Sequence, residues 1–195
     1  MAHEFKPPDR SFVFSGIGWG IGWRFFHDEY YRNLNECRAV ISMVDERYRP
    51  YVSFGFGAYT MRWNRDIVRT IALIDQMDER DRPELYRGAG WFCGLGSKEN
   101  INMSIATINR VSEKYRSECY RGLGTAVGKI LGDIPCCVRL LSHIPSGYQC
   151  AAYEGLAEHL GWRYRYFLKK NPRVLVKEIP QEHQACFSKG LDALE

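Results

Sequence analysis

Residues 120–128 read YRGLGTAVG, and thirty-four residues earlier 86–94 read YRGAGWFCG. The same phrase recurs as FSGIGWGIG from Phe14, SFGFG from Ser53 and YEGLAEHLG from Tyr153, with a degenerate copy, SKGLD, from Ser188. The first glycines are Gly16, Gly55, Gly88, Gly122, Gly155 and Gly190, spaced by 39, 33, 34, 33 and 35 residues. Self-similarity at such a period marks an architecture of stacked supersecondary units.

The flanks keep the same register. Six residues before each anchor glycine stand Arg10, Arg49, Arg82 and Arg116, then Gln149 and Gln184. One residue earlier come Tyr48, Tyr115 and Tyr148. Fourteen and eleven residues before the anchor lie the apolar pairs Ile41/Val44, Ile74/Met77, Ile108/Val111, Leu141/Ile144 and Val176/Ile179. A preserved i, i+3 apolar pair predicts the inner face of a helix. Each unit therefore reads as a helix A through the glycines and a helix B through the apolar pair. Asn64, Ser97, Asp133 and Asn171 (before Pro172) are the expected helix starts.

The expected fold is all-α. It is a right-handed helix–turn–helix α-solenoid of about five ~34-residue repeats, over 9–45, 46–78, 79–112, 113–145 and 146–180. A final capping helix covers 181–195, and 1–195 is a single domain. A glycine inside a helix costs about 1 kcal/mol against alanine. Gly16, Gly18, Gly55, Gly57, Gly88, Gly90, Gly122, Gly124 and Gly155 are expected to repay that by letting neighbouring backbones approach closely. The aromatics two residues before the anchor (Phe14, Tyr86, Tyr120, Tyr153), with Trp19 and Trp91 three after it, would fill the space beside those contacts.

A unit of this length with a helix-A glycine and an inter-repeat proline resembles the tetratricopeptide repeat. In that family the proline stands ten residues before the next helix-A glycine. Pro145 with Gly155 and Pro180 with Gly190 match, and Trp19 and Trp91 fall where the family has an aromatic. The family's first tryptophan has no counterpart here. ERYRPYVSFGFG (46–57), RPELYRGAG (82–90) and AAYEGLAEHLG (151–161) look like the uncharacterised domain family encoded in enediyne polyketide clusters. That likeness implies a bacterial source and similar repeats.

Composition sets bounds on function. The chain has 195 residues, 45% hydrophobic and 26% charged, enough for a buried core. A net charge of +4 does not call for nucleic acid. The polar start MAHEFKPPDR is not a signal peptide, and the uncharged run Ser11–Trp23 is shorter than the ~20 residues of a membrane span. No membrane span and a cytoplasmic location are expected. The seven cysteines show no disulfide framework, so mostly buried thiols are expected.

Several motifs carry a chemical and a packing reading. GLGTAVG at 122–128 has the look of a nucleotide-binding turn, but a helical pattern, SEKYRSECY, precedes it where a strand is required. Cys136, Cys137, His143, Cys150 and His159 cluster without a standard zinc spacing. Neither a metal nor a cofactor is expected, and no catalytic residue is assigned. None of His3, His27, His143, His159 and His183 has a context that would pair it with a cysteine nucleophile.

Arg49, Arg82 and Arg116 would form a ladder, joined by Arg87 and Arg121 one residue before their anchors. They read either as ion-pair partners of Glu46, Glu79 and Glu113 or as a cationic strip for an acidic peptide. The basic-aromatic patch RYRYFLKK (163–170) and the first-repeat insertion RFFHDEYYRN (24–33) are further places where the copies differ. The leading expectation is a non-enzymatic protein- or peptide-binding scaffold. Its concave helix-A face would use Tyr48, Tyr115, Tyr148 and the arginines. A small-molecule-binding or biosynthetic accessory protein, or a structural subunit assembling with copies or partners through the solenoid ends, are the alternatives.

Overall fold

The structure is a computed structural model describing residues 7–26 and 34–193, without the side chains of 7–11, 25–26 and 97–99. Among the described residues it is helical throughout, with no strand. Long helices alternate with shorter ones: α1 (Pro7–Phe26), α2 (Leu34–Ser42), α3 (Arg49–Asn64), α4 (Ile67–Ile74), α5 (Arg82–Gly94) and α6 (Ser97–Ile108). Then come α7 (Glu113–Leu131), α8 (Ile134–Leu141), α9 (Ser146–Trp162) and α10 (Gln184–Asp192). The chain divides into two compact units between Ala89 and Gly90, inside α5.

In the first unit α1 packs along α3. The core is Phe14, Ile21, Val52, Phe56, Tyr59, Leu85 and Tyr86 from the long helices, with Cys37, Ile41, Ile67 and Ile74 from α2 and α4. Asp66 caps α4, its carboxylate accepting from the Val68 N–H at 2.8 Å. Asn64, the expected cap, is instead the last residue of α3, which Arg65 closes in the left-handed conformation at φ 49°. The two-residue link Arg65–Asp66 leaves the capping role to the second residue.

In the second unit α7 packs along α9, and α9 along α10. Tyr120, Leu123, Val127, Tyr153, Leu156, Leu160 and Phe187 form its centre. Gly132, at φ 65°, ends α7, and Asp133 then caps α8 by accepting from the Cys136 N–H at 3.0 Å. Ser97 opens α6, with Gly96 at its N-cap, and Asn100 is a non-helical break within it whose side chain accepts from the Met103 N–H at 3.1 Å. Asn171 does cap the segment after it, accepting from the Arg173 N–H at 2.9 Å.

The short helices bury a fixed pattern. Residues 21, 18 and 14 before the anchor point inward: Ile67, Thr70 and Ile74 in α4, Ile101, Ser104 and Ile108 in α6, Ile134, Cys137 and Leu141 in α8. The expected i, i+3 pair is not the inner face of one helix. Its first member sits in the last turn or at the last residue, and its second lies beyond the helix end. Met77, Val111 and Ile144 donate their N–H to the carbonyls of Ile74, Ile108 and Leu141. The pair pins the turn that returns the chain to the next long helix. Before α10 the expected helix B is a 3₁₀ segment, Pro172–Glu178, in which Pro172 and Leu175, rather than Val176, are buried.

Candidate functional site

The glycines explain how the long helices meet. A Cβ on Gly55 would collide with the Ser15 carbonyl of α1, and one on Gly18 with the Val52 carbonyl of α3. The same reciprocal pair recurs as Gly88 against Phe54 with Gly57 against Leu85, and as Gly155 against Arg121 with Gly124 against Ala152. Gly90 meets Cys119 and Gly190 meets Glu154 in the same registers. Backbones this close bring Cα–H groups onto facing carbonyls, a weak attraction repeated at each contact. Gly16 departs from the expectation. Nothing lies within 4 Å of its Cβ position, so it is not a packing glycine among the described residues. Gly122 is buried in α7.

The arginine ladder has a structural task at every described rung. Each side chain folds back onto the end of the preceding short helix and donates to carbonyls five and seven residues earlier. Arg49 reaches Ser42 and Val44; Arg82 reaches Asp75 (2.8 Å) and Met77 (3.0 Å); Arg116 reaches Asn109 (3.1 Å) and Val111 (3.0 Å). Gln149 does the same at Ile144 (2.8 Å) and Ser142 (3.4 Å), and Gln184 at Ile179 (3.0 Å). These groups satisfy carbonyls that a helix terminus leaves without partners. They therefore act as C-caps rather than as partners of Glu46, Glu79 and Glu113. The Arg10 side chain lies outside the described residues.

Between consecutive long helices an aromatic two residues before one anchor stacks on a ring seven residues before the next. Phe14 stacks on Tyr48 with centroids 4.2 Å apart, Tyr120 on Tyr148 at 5.0 Å, and Tyr153 on His183 at 4.3 Å. Arg116 completes this arrangement, its Nη1 donating to the Tyr148 hydroxyl at 3.3 Å. Tyr48 and Tyr115 are buried and Tyr148 is half-buried, so the three tyrosines pack within the fold.

One described interface lacks the pair. Between α3 and α5 the two positions hold Ser53 and Asp81. In their place is a cavity of about 170 Å³ lined by Glu46, Arg49, Pro50, Ser53, Arg80, Asp81 and Glu84. Arg49 is 8% exposed, Asp81 5% and Ser53 0%. The Nε and Nη1 of Arg49 are buried without a hydrogen-bond partner in the protein, and the buried Ser53 hydroxyl has only the Asp81 carboxyl beside it. Burial pushes the Asp81 carboxyl above the usual carboxylate range, with Asp78 adding to the rise, and the nearby Arg49 and Arg80 charges and the Ser53 hydroxyl only partly offset this. A buried donor left unpaired costs about 1–3 kcal/mol. Two such donors on one guanidinium, beside a buried hydroxyl and carboxyl and a cavity, make this the best candidate site.

The remaining sequence candidates are internally engaged. Arg87 pairs with Glu84 at 3.3 Å. Arg121 donates through Nε to Glu158 at 2.8 Å, and Lys189 pairs with Glu154 at 2.7 Å. Glu154 and Glu158 are buried, so this cluster on α7, α9 and α10 is a paired network. Arg163–Phe167 extends α9 as a π-helical turn with Phe167 exposed. Of the first-repeat insertion, 27–33 lie outside the described residues.

The cysteines divide differently from expectation. Cys150 and Cys186 form a disulfide joining α9 to α10. Cys37 and Cys137 are small buried residues of the short helices, and burial pushes their thiols, and that of Cys93, up to about 12. A thiol held there is a poor nucleophile at neutral pH. Cys136 is half-buried beside Asp133, which also raises it. Among the described residues no group of three or more His, Cys, Asp or Glu is placed to hold a metal ion. No described helix is long and apolar enough to cross a membrane.

Ser53 and Asp81 were missed by sequence reasoning that followed what the copies share. The available signal was a double departure in register, a hydroxyl and a carboxylate at the two aromatic positions of one interface. No protein-family model, curated protein or solved structure matches the chain.

Proposed function

We propose that the chain is a non-enzymatic binding module, an α-solenoid of about five repeats that recognises a peptide or protein partner on its long-helix surface. The observation that carries the reading is the Ser53–Asp81 interface. The α1–α3, α7–α9 and α9–α10 interfaces close with an aromatic pair and a capping side chain. Here the pair is replaced by Ser53 and Asp81, next to which the Nε and Nη1 of Arg49 have no hydrogen-bond partner in the protein. Polar groups left unsatisfied in a fold are characteristic of functional sites, where stability is given up for recognition. Of the capping arginines, Arg49 contributes to the site through the Nε and Nη1 that its cap leaves unused.

The test is selection of a random peptide library on the immobilised protein, with counter-selection on the Ser53→Phe/Asp81→Tyr variant. That variant places an aromatic pair where the α1–α3 and α7–α9 interfaces have one. Enrichment of peptides that bind the native chain and not the filled variant supports the reading. No enrichment, or peptides that bind both equally, contradicts it.

A further inference from the structure

We infer that the Arg49–Ser53–Asp81 cavity takes a primary carboxamide, the chemistry of an asparagine or glutamine side chain. The inference rests on the binding-module reading and specifies what the site accepts.

The argument is one of charge and hydrogen-bond complementarity. The buried groups are one guanidinium, one carboxyl and one hydroxyl. The guanidinium still has two N–H-bearing atoms to donate, Nε and Nη1, because Nη2 is held by the Ser42 and Val44 carbonyls. The Asp81 carboxyl forms no ion pair, and its one side-chain donor is the Ser53 hydroxyl, so it can accept from a further donor. An entering group must therefore accept from Arg49 and donate to Asp81 without adding charge.

A carboxylate would set two buried carboxyls against one guanidinium. An ammonium or guanidinium would satisfy Asp81 and leave the Arg49 donors unused beside a second cation. A carboxamide does both jobs: its carbonyl oxygen accepts, its NH₂ donates, and its net charge is zero. Ser53 Oγ can serve either end. The volume of about 170 Å³ has room for several waters or for such a side-chain head.

The unpaired atoms are closed to a water-sized sphere, so entry includes a rearrangement of the rim. Glu46 and Arg80 are exposed and supply flexible rim side chains, and Arg80 makes only a 3.9 Å contact with Asp78.

The experiment titrates the full chain with N-acetyl-glutamine methylamide, and in separate samples with its asparagine, glutamate, lysine and alanine analogues. The backbone amide resonances of Ser53 and Asp81 are followed by NMR. The expected result is saturable shifts with the carboxamide probes, at least about tenfold tighter than with the others. They should be lost in Arg49→Gln, which keeps the cap as Gln149 and Gln184 do, and in Ser53→Phe/Asp81→Tyr. Acetamide separates the two sources of this chemistry. Equal binding points to a free amide, and weaker binding to a peptide side chain. Tighter binding of the glutamate or lysine probe, no shift with any probe, or undiminished shifts in Arg49→Gln would overturn the inference. Absence of shifts alongside library peptides that still need the cavity would remove the carboxamide assignment and leave the binding-module reading standing.

Discussion

Tyr120 and Tyr148 stack with ring centroids 5.0 Å apart, and two repeats earlier the same two positions are Ser53 and Asp81. Two positions that meet in space have changed together, from rings that fill an interface to polar groups that leave it open. The consequences can be measured on stability as well as on binding.

The glycine contacts oppose helix propensity. Alanine is the better helix former by about 1 kcal/mol. At Gly124, however, a Cβ would collide with the Ala152 backbone, which cannot rotate away. Gly124→Ala is expected to lose at least about 2 kcal/mol, because overpacking against backbone outweighs propensity. Gly16→Ala, with nothing within 4 Å, should be neutral or stabilising by up to about 1 kcal/mol. Urea denaturation of the two variants checks both signs, and equal effects would contradict the packing account.

Removing a cap should depend on what replaces it. Arg116→Ala strips the Asn109 and Val111 carbonyls and the Tyr148 hydroxyl of a charged donor, an expected loss of about 1.5–3 kcal/mol. Arg116→Gln should recover most of this, because Gln149 performs the same capping one repeat later. Thermal denaturation of the pair distinguishes a cap from a surface charge, for which glutamine and alanine would be equivalent.

These residues show how far the sequence was legible. The helical class and the close approach at the glycines followed from spacing, since a backbone contact repeated at one offset leaves glycine at that offset. The cap did not follow. An arginine every thirty-odd residues looks the same whether it faces a ligand or folds back by seven residues. The change to Gln149 and Gln184, which keeps a donor and drops the charge, was the available clue. The small buried residues of the short helices, Cys37, Thr70, Ser104 and Cys137, share an offset but not a chemistry, so size alone linked them. The Cys150–Cys186 bond was hidden because its members sit five and four residues before their anchors and match no motif.

That disulfide closes a segment with a sequence separation of 36 residues. On chain entropy it is worth about 4 kcal/mol. Adding dithiothreitol should lower the melting temperature of the native chain and leave a Cys150→Ser/Cys186→Ser variant unmoved. Identical melting of the native chain with and without reductant would show that the bond does not form or does not stabilise.

His159 has an acid-labile role. Burial, with Lys129 and Arg163 adding repulsion, lowers its pKa from 6.5 to about 4. The folded state therefore binds this proton less readily than the unfolded state. Its stabilising contribution is complete above pH 6.5 and is lost as pH falls toward about 4. His159→Gln should flatten the loss of stability across that window, as measured by urea midpoints at successive pH values. An unchanged slope would remove His159 from the account.

Asp81 behaves with the opposite sign. Its raised pKa means that ionisation above the ordinary carboxylate range opposes folding. Asp81→Asn should therefore stabilise the chain at neutral pH, with the gain fading as pH falls below the ordinary carboxylate value. Urea midpoints of the native chain and the variant at pH 7 and pH 3 supply the comparison.

The most direct measurement is the melting temperature of Ser53→Phe/Asp81→Tyr beside its capture of library peptides selected on the native chain. A site kept open for a ligand predicts a higher melting temperature, because an aromatic pair adds about 0.5–1.5 kcal/mol beyond its buried area, together with loss of capture. A filled variant that melts lower, or that captures the same peptides undiminished, would contradict the claim that Ser53 and Asp81 mark a binding site in the repeat array.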